Sequence, residues 1–362
     1  MAKTKSWVLT APKTMEYREF DLPDVGPEDM LLQVKTTLIC GSDPHRYLND
    51  DGLAPYPLIL GHEFAGIVAK IGEKAAALYH VKEGDHVTVE PYIPCGHCEY
   101  CLQGLYQLCT ERRCYGWSEP MNATVEPYIN GAYGQYVFIR YGSKVFKLND
   151  NISFDAGALS SVIGNGYRLI VTHGQMKPND SVLIEGPGAL GLCAVVAAKE
   201  TGVCPIIVTG VGEADEKRLA LARELGADYT IRLDKEDGMA KIMEITGGKG
   251  VDAVMECSGA VPAYKMALEA VKKTGTIVLL GMPGGKDVPI HIDTIISKEL
   301  KVKGSLGQSG NVEYAMKTIN KGTYPLEKLV TNHFPMSKAD KAMEFFINKE
   351  DPSCIRVALH ND

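Results

Sequence analysis

The chain has 362 residues, 45% of them hydrophobic and 23% charged, which is ordinary for a globular protein and long enough for two domains. Its net charge of −7 opposes nucleic acid as a partner, because phosphate binding needs clustered positive charge. No apolar run approaches the roughly 20 residues that span a bilayer, and the first residues lack the apolar core of a signal peptide. We therefore expect a cytoplasmic protein with no membrane partner.

The first part of the chain, up to about residue 155, reads as β-rich. Short apolar runs separated by Gly, Pro and Asp are typical of strands, and no long helical period interrupts them. The predicted strands are Met30–Ile39, Phe64–Ile71, His86–Val89 and Tyr136–Ile139. This pattern predicts a compact, barrel-like β domain.

Two motifs in this region offer a set of ligands for a catalytic metal. Cys40-Gly-Ser-Asp-Pro-His45 is followed by Gly61-His62-Glu63-Phe-Ala-Gly66. A thiolate, an imidazole and a carboxylate from Cys40, His62 and Glu63 suit a zinc ion that keeps one position open. Alternatively, Cys40 is a buried core thiol, and Glu63 orients His62 without touching the metal.

A second metal motif lies between residues 92 and 114. Cys95, Cys98, Cys101 and Cys109 have the spacing C-x2-C-x2-C-x7-C, which lets one loop wrap four thiolates around a tetrahedral cation. Such closed sites prefer zinc and are usually structural. The alternative, a set of redox disulfides, does not suit a cytosolic chain.

A loop rich in aromatic residues follows, from Tyr115 to Gly131. Its aromatic side chains would line a substrate cleft, or the segment would be a surface loop or an oligomer contact. The sequence leaves both interpretations open.

From about residue 155 the chain alternates short strands with amphipathic helices, a pattern typical of a doubly wound parallel sheet. The predicted strands are Ser181–Glu185, Cys204–Thr209, Val251–Glu256 and Thr276–Leu280, and a further short strand, Leu300–Gly304, remains after about residue 295. The predicted helices between them are Ala189–Thr201, Glu216–Leu225 and Pro262–Lys272.

The first of these strands runs into a glycine fingerprint, Gly186-Pro-Gly188-Ala-Leu-Gly191. In such a loop the glycines allow a tight turn, close approach of a pyrophosphate, and close helix packing. The helix that follows offers free N–H groups to the phosphates. The candidate cofactor residues in this loop are Gly186, Gly188, Ala189, Leu190 and Gly191.

The end of the next strand bears on the choice between NAD and NADP. Gly210 stands where NAD-binding sheets usually place an acidic residue, which favours a 2′-phosphate. However, Glu213 and Asp215 lie in the same turn, with Arg218 close behind them. We favour NAD, with Glu213 or Asp215 binding the ribose, and leave NADP open.

Together these motifs resemble the zinc-dependent medium-chain dehydrogenase/reductase family, over essentially the whole chain and in the family's order. The polyol and threonine dehydrogenases are the nearest branches, because they share the Cys-Gly-Ser/Thr-Asp-x-His string. The resemblance implies a chaperonin-10-like (GroES-like) catalytic domain, residues 1–155 and 296–362, and an inserted Rossmann domain, residues 156–295. It also implies a homodimer or homotetramer that binds NAD or NADP and two zinc ions, one catalytic and one structural.

One position departs from the family pattern. The polyol and threonine branches have a Glu where this chain has Ser161, in the string Ser161-Val-Ile-Gly-Asn165-Gly-Tyr-Arg168. A neutral serine is a poor zinc ligand. Cys40, His62 and Glu63 are then the only protein ligands, with water or substrate in the fourth position; alternatively the site has lost its metal.

The family's chemistry assigns further roles. Zinc acts as a Lewis acid on an alcohol oxygen, and the alcohol carbon passes a hydride to nicotinamide. Ser42 accepts the proton, and His45 hands it to solvent. We expect a dehydrogenase for a secondary alcohol or polyol-like substrate. The alternatives are a threonine-type dehydrogenase, a reductase without catalytic zinc, and a zinc-stabilised nucleic-acid-binding module.

Overall fold

The computed structural model describes residues 2–50 and 52–361 and forms two compact units. Unit 1 comprises Met1–Ser161 and Met316–Asp362, and unit 2 comprises Val162–Ala315. The chain therefore crosses between units at residues 161/162 and 315/316, and not at the expected 155/156 and 295/296.

The strands, in chain order, are β1 (Lys3–Ala11), β2 (Thr14–Asp21), β3 (Met30–Ile39), β4 (Glu63–Ile71), β5 (His86–Glu90), β6 (Tyr136–Ile139), β7 (Lys144–Lys147), β8 (Val182–Glu185), β9 (Ile206–Gly210), β10 (Tyr229–Arg232), β11 (Val251–Glu256), β12 (Val271–Leu279), β13 (Lys301–Gly304), β14 (Val330–Pro335) and β15 (Arg356–His360). The α-helices are α1 (Asp43–Leu48), α2 (Glu73–Tyr79), α3 (Glu99–Leu102), α4 (Phe154–Ala158), α5 (Ser160–Tyr167), α6 (Ala189–Thr201), α7 (Ala214–Glu224), α8 (Gly238–Ile245), α9 (Val261–Ala270), α10 (Ile292–Ser297), α11 (Val312–Lys321) and α12 (Ala339–Asn348).

Unit 1 is built on a seven-stranded sheet in the order β14-β15-β3-β4-β5-β7, with β6 also paired to β3. The pairs are antiparallel except for β14 and β15. The hairpin β1–β2 forms a separate two-stranded sheet. Strand β3 is buried along most of its length because it pairs with β4, β6 and β15. The sequence predictions of β3, β4, β5 and β6 agree with the strands observed.

Unit 2 is a six-stranded sheet in the order β10-β9-β8-β11-β12-β13. All its pairs are parallel, so the predicted doubly wound parallel sheet is confirmed. The strand order reverses between β8 and β11, and ligands of such sheets bind at this switch point, beyond the carboxyl ends of the strands. Strand β13 pairs with β12, which explains why the second crossing lies beyond residue 295.

Within the described part of the chain, no helix is both long and apolar enough to cross a membrane.

Candidate functional site

The four-cysteine lobe forms a compact thiol cluster in unit 1. The Sγ atoms of Cys95 and Cys101 lie 3.7 Å apart, and those of Cys98 and Cys109 lie 4.0 Å apart. Four sulfurs around a tetrahedral zinc at about 2.3 Å are separated by roughly 3.8 Å. The observed spacing therefore fits a zinc ion, and all four residues are free thiols without disulfide bonds.

Backbone N–H groups donate to the sulfur atoms of this lobe and favour the thiolate form that binds a cation. The N–H of Cys98 donates to Cys95 Sγ at 3.3 Å, and the N–H of Cys101 donates to Cys98 Sγ at 3.4 Å. The backbone N–H groups of Thr110 and Cys101 lower the pKa of Cys98 to about 6. Burial raises the pKa of Cys101 to about 12. A bound cation would displace the remaining thiol protons and stabilise all four sulfurs as thiolates.

A second cluster brings together the three predicted ligands of the open site. Cys40 directly follows β3, and Glu63 begins β4, where it pairs in register with Leu38 of β3. The ligand atoms of Cys40, His62 and Glu63 all lie within 4.8 Å of one another. Adjacent antiparallel strands thus place three donors of the kind that hold catalytic zinc at one end of the sheet.

Asp43 holds two sides of this cluster together, a role that the sequence did not reveal. Its Oδ2 accepts the N–H of Cys40 at 2.9 Å and the hydroxyl of Tyr133 at 3.0 Å. Its Oδ1 lies 3.3 Å from His62 Nδ1, at ion-pair distance but without hydrogen-bond alignment. Because Asp43 is completely buried, its charge acts strongly on its neighbours.

The same carboxylate sets the charge state of His62. Burial alone lowers the pKa of His62, but Asp43 and Cys40 outweigh burial and raise the pKa well above its ordinary value of 6.5. The neighbouring anions that favour a proton on His62 would equally favour a metal cation bound to its ring. Gly61 makes room for the arrangement: its φ is +96°, and a Cβ there would lie 2.6 Å from the ring of Tyr133.

Glu63 is buried, and its two oxygens differ. Oε1 lies 3.3 Å from Nη2 of Arg356, which comes from β15 near the end of the chain. Oε2 has no hydrogen-bond partner among the residues that the structure describes. A buried carboxylate oxygen without a partner is costly, and a metal bound beside Cys40 and His62 would satisfy it.

The predicted proton relay is partly assembled. Ser42 Oγ lies 3.5 Å from His62 Nε2, at the limit of a hydrogen bond. His45, on α1, is about half exposed, and its Nδ1 lies 2.8 Å from Asp50 Oδ2. Ser42 therefore lies against the ligand cluster, whereas His45 faces solvent with a carboxylate beside it.

The aromatic loop contributes one residue to this neighbourhood. The ring of Trp117 packs edge-on against His62 with centroids 5.9 Å apart, and the guanidinium of Arg46 lies 4.0 Å from the Trp117 ring centroid. Tyr115, by contrast, is buried in the core and bonds Ser143 Oγ at 2.8 Å. Trp117 therefore packs directly against His62, with Arg46 over its ring, and the spacing of the motifs indicated neither contact.

Ser161 is buried as the second residue of α5, with 4% of its surface exposed. Its neighbour Ser160 shares a 2.9 Å hydrogen bond with Thr88. A hydroxyl supplies no anionic ligand, so the Cys, His and carboxylate donors of the cluster remain Cys40, His62 and Glu63.

In unit 2 the geometry of the fingerprint loop explains, for each position separately, why the residue is a glycine. Gly186 has φ of +95°, which allows the turn after β8. A Cβ on Gly188 would meet no atom within 4 Å, so the space beside it is open to a ligand. A Cβ on Gly191 would lie 2.0 Å from the carbonyl oxygen of Gly186. The loop ends at Gly188, the N-cap of α6, whose first residues Ala189 and Leu190 carry free N–H groups.

The acidic turn after β9 is also well ordered by contacts. Asp215 accepts the N–H of Val211 at 2.8 Å and pairs with Arg218 at 2.8 Å. A Cβ on Gly210 would lie 3.1 Å from Oδ2 of Asp215. Glu213 points outward, with 85% of its side chain exposed, and contacts Arg232 at 3.4 Å. Asp215, and not Glu213, therefore lies against the end of the strand.

Comparison with known proteins agrees with this geometry. Residues 26–150 match the alcohol dehydrogenase GroES-like domain, and residues 189–321 match the zinc-binding dehydrogenase family. The chain is 33% identical to the D-arabitol-phosphate dehydrogenase of Enterococcus avium over 336 residues, 91% of each chain. It is 34% identical to a probable alcohol dehydrogenase of Mycobacterium tuberculosis over 334 residues, 91% of this chain and 90% of the other.

A solved structure, the alcohol dehydrogenase of Thermotoga maritima, is 27% identical and covers 100% of both chains with a TM-score of 0.91. The matched domains, the two predicted clusters and the six-stranded parallel sheet all occur in one chain. The protein therefore belongs to the zinc-dependent medium-chain dehydrogenase/reductase family.

Proposed function

We propose that the protein is a zinc-dependent dehydrogenase that transfers a hydride between a secondary alcohol or polyol-like substrate and NAD. The observation that carries the proposal is the cluster of Cys40, His62 and Glu63, in which Cys40 and His62 are half-buried and the buried Glu63 has one carboxylate oxygen without a partner among the described residues. A second, structural zinc would bind in the lobe of Cys95, Cys98, Cys101 and Cys109.

Cys40, His62 and Glu63 would hold the catalytic zinc, and Ser161 adds no fourth protein ligand. One position is then left for the substrate oxygen. When bound there, zinc supplies Lewis-acid chemistry, which makes an alcohol hydroxyl acidic or polarises a ketone.

The chain's own residues would then move the proton. Ser42, whose hydroxyl lies 3.5 Å from His62 Nε2, takes the proton of the substrate hydroxyl and passes it outward. His45 delivers it to solvent, with Asp50 2.8 Å from its ring nitrogen. Asp43 keeps His62 and the Cys40 backbone in place during this transfer.

The nicotinamide cofactor would bind to unit 2, with its pyrophosphate beside Gly186, Gly188 and Gly191 at the N-terminus of α6. We propose that Asp215 binds the adenosine ribose, because its carboxylate lies where a side chain of residue 210 would point. The negative charge opposes a 2′-phosphate. This is the physical argument for NAD over NADP.

Replacing Asp215 tests the cofactor assignment. The variant Asp215→Ser removes the carboxylate that opposes a 2′-phosphate and that pairs with Arg218 at 2.8 Å, so the ratio of kcat/KM for NAD to that for NADP should fall by at least about tenfold. Glu213→Gln is the matched control, because Glu213 is largely exposed. An unchanged ratio in Asp215→Ser would contradict the role of Asp215.

We also propose a homo-oligomer in which β13 forms a contact. All four residues of this edge strand are exposed, and exposed edges are templates for pairing with another chain. Val302 of β13 is exposed, as are apolar side chains close to it in sequence, Ile292, Ile296 and Leu306. Light scattering of the native protein and of Val302→Lys measures the assembly; a monomeric native protein would refute this contact.

The central experiment measures reduced nicotinamide over a panel of secondary alcohols, polyols, polyol phosphates and L-threonine, with and without chelator. We expect turnover with a polyol-like substrate, lost on chelation and restored by zinc. Turnover that survives complete removal of the catalytic metal would instead favour a family member that has lost its catalytic zinc.

A further inference from the structure

A third group of metal-ligating side chains lies in unit 1, distinct from both cysteine-containing sites. Asp155, His333 and His360 place one ligand atom each within 4.8 Å of the others. Asp155 belongs to α4, His333 to β14 and His360 to the end of β15. None of the three belongs to a motif that the sequence analysis selected.

The sheet register explains why the two histidines meet. In the parallel pair β14–β15, His333 lies opposite Ala358, and Pro335 lies opposite His360. Because side chains alternate along a strand, His333 and His360 share one face. Their rings are 5.2 Å apart between centroids.

Asp155 reaches this face from the first turn of α4. Its Oδ1 lies 2.8 Å from His360 Nε2, and its Oδ2 lies 3.7 Å from His333 Nδ1. Thr36, which pairs with His360 across β3 and β15, donates its hydroxyl to Asp155 Oδ1 at 2.9 Å. The carboxylate is therefore oriented by a neighbour, as the ligands of metal sites usually are.

The group borders a cavity of about 390 Å³, whose wall includes Thr36, Asp155 and His360. The side chain of Asp155 is only 17% exposed, while those of His333 and His360 are 48% and 37% exposed. A cation at this place would have protein ligands on one side and room for water on the other. Such a half-open arrangement admits metal from solvent without unfolding.

We propose that Asp155, His333 and His360 form a third metal site, which takes a divalent borderline cation such as Zn²⁺ or Ni²⁺. Two imidazoles and one carboxylate are donors that these ions accept, whereas Ca²⁺ and Mg²⁺ prefer oxygen ligands alone. The site contains no thiolate, and Lys35 on the cavity wall adds a positive charge. We therefore expect it to bind more weakly than the cysteine lobe.

Metal binding requires a small movement of the side chains. Two ligand atoms about 2.1 Å from a tetrahedral ion lie roughly 3.4 Å apart, which exceeds the 2.8 Å between Asp155 Oδ1 and His360 Nε2. The cation thus replaces the proton that these two groups share and separates them by about half an ångström. In the bound state it links α4 to the two C-terminal strands β14 and β15.

Calorimetry on the protein with its zinc sites filled tests the proposal. Titration with Ni²⁺ at pH 7.5 should show one further equivalent. His333→Ala and Asp155→Asn should weaken that equivalent by at least about tenfold, since even the loss of an outer-shell partner costs 10- to 100-fold. His291→Ala, an exposed histidine of unit 2, is the matched control and should bind as the native protein does.

A second variant separates a metal site from a purely structural hydrogen bond. In His360→Gln the amide can still donate to Asp155, so the fold is retained, but the amide nitrogen cannot ligate a metal. Ni²⁺ should raise the Tm of the native protein and not that of His360→Gln. The proposal is overturned if the native protein shows no further equivalent, or if His333→Ala and His360→Gln bind Ni²⁺ unchanged.

Discussion

The cysteine lobe and the open cluster are both candidate zinc sites, but they are assembled differently. The lobe takes all four donors from residues 95–109, and its supporting backbone N–H groups come from residues 98, 101 and 110, in or directly after the same segment. The open cluster takes donors from residues 40, 62 and 63, and depends on Tyr133 and Arg356 for support. Local spacing therefore specifies a closed site almost completely, whereas an open site needs the whole fold of unit 1.

The largest effect is expected from removing a ligand of the open cluster. In Cys40→Ser the poorer ligand should release the catalytic metal while the lobe keeps its own. Loss of Lewis-acid stabilisation worth several kcal/mol lowers kcat/KM by about 10³-fold or more. Metal analysis should find one zinc per chain instead of two.

Cys204→Ser is the control for this variant, because Cys204 is exposed and lies in unit 2. It should retain native turnover and metal content. If Cys40→Ser keeps more than about a tenth of native activity, Cys40 is not a ligand that the reaction needs.

Removing a ligand of the lobe should act on stability before activity. Cys101→Ser leaves three thiolates on the metal or none, and structural zinc contributes directly to folding. We expect a loss of about 4 kcal/mol, or roughly 10 °C in Tm. Differential scanning calorimetry measures it, and an equal Tm for Cys101→Ser and native protein would argue that the lobe holds no structural metal.

A smaller effect, on both stability and zinc affinity, is expected from breaking the contact between Glu63 and Arg356. Arg356→Gln leaves the buried Glu63 without its cationic neighbour, and breaking such a pair costs about 3 kcal/mol. Zinc affinity of the open cluster should fall by roughly 10-fold. Chemical denaturation and a competitive chelator measure the two quantities.

The double variant Glu63→Gln with Arg356→Gln is the internal control. Because it removes both charges, it should recover part of the stability lost in Arg356→Gln while binding the catalytic metal no better. If the stability loss of the double variant equals the sum of the losses in Glu63→Gln and in Arg356→Gln, then Glu63 and Arg356 do not interact energetically.

The features that the sequence predicts are local in the same sense as the lobe, and those that it misses depend on the fold, as the open cluster does. Strands β3 to β6, the parallel sheet and the thiol spacing rest on local patterns, and all of them were predicted. The sequence places Asp43 within a motif but does not predict its hydrogen bonds to Cys40 and Tyr133, because these form only in the fold. Arg356 lies 293 residues from Glu63, a distance at which no pattern relates two positions. The expected boundary at residue 295 leaves strand β13 outside the Rossmann domain, because its pairing with β12 is a tertiary contact that no local pattern shows.

The smallest effect concerns the thiols of the lobe after zinc is removed. Backbone N–H groups of Thr110 and Cys101 lower the pKa of Cys98 to about 6, and burial raises that of Cys101 to about 12. Because only the thiolate reacts, Cys98 should be alkylated by iodoacetamide with a half-maximal rate near pH 6, about 2.5 pH units below an ordinary thiol. Cys101 should remain unmodified at neutral pH.

Mass spectrometry of peptides from protein alkylated between pH 5 and 9 measures both rates, with zinc-loaded protein as the protected control. A Cys98 rate that is half-maximal near pH 8.5 would show that the N–H groups do not prepare the lobe. The inference that backbone N–H groups of the same segment stabilise the thiolates of the closed site would then be wrong. The inferences about the open cluster, which is supported by Asp43, Tyr133 and Arg356, would be unaffected.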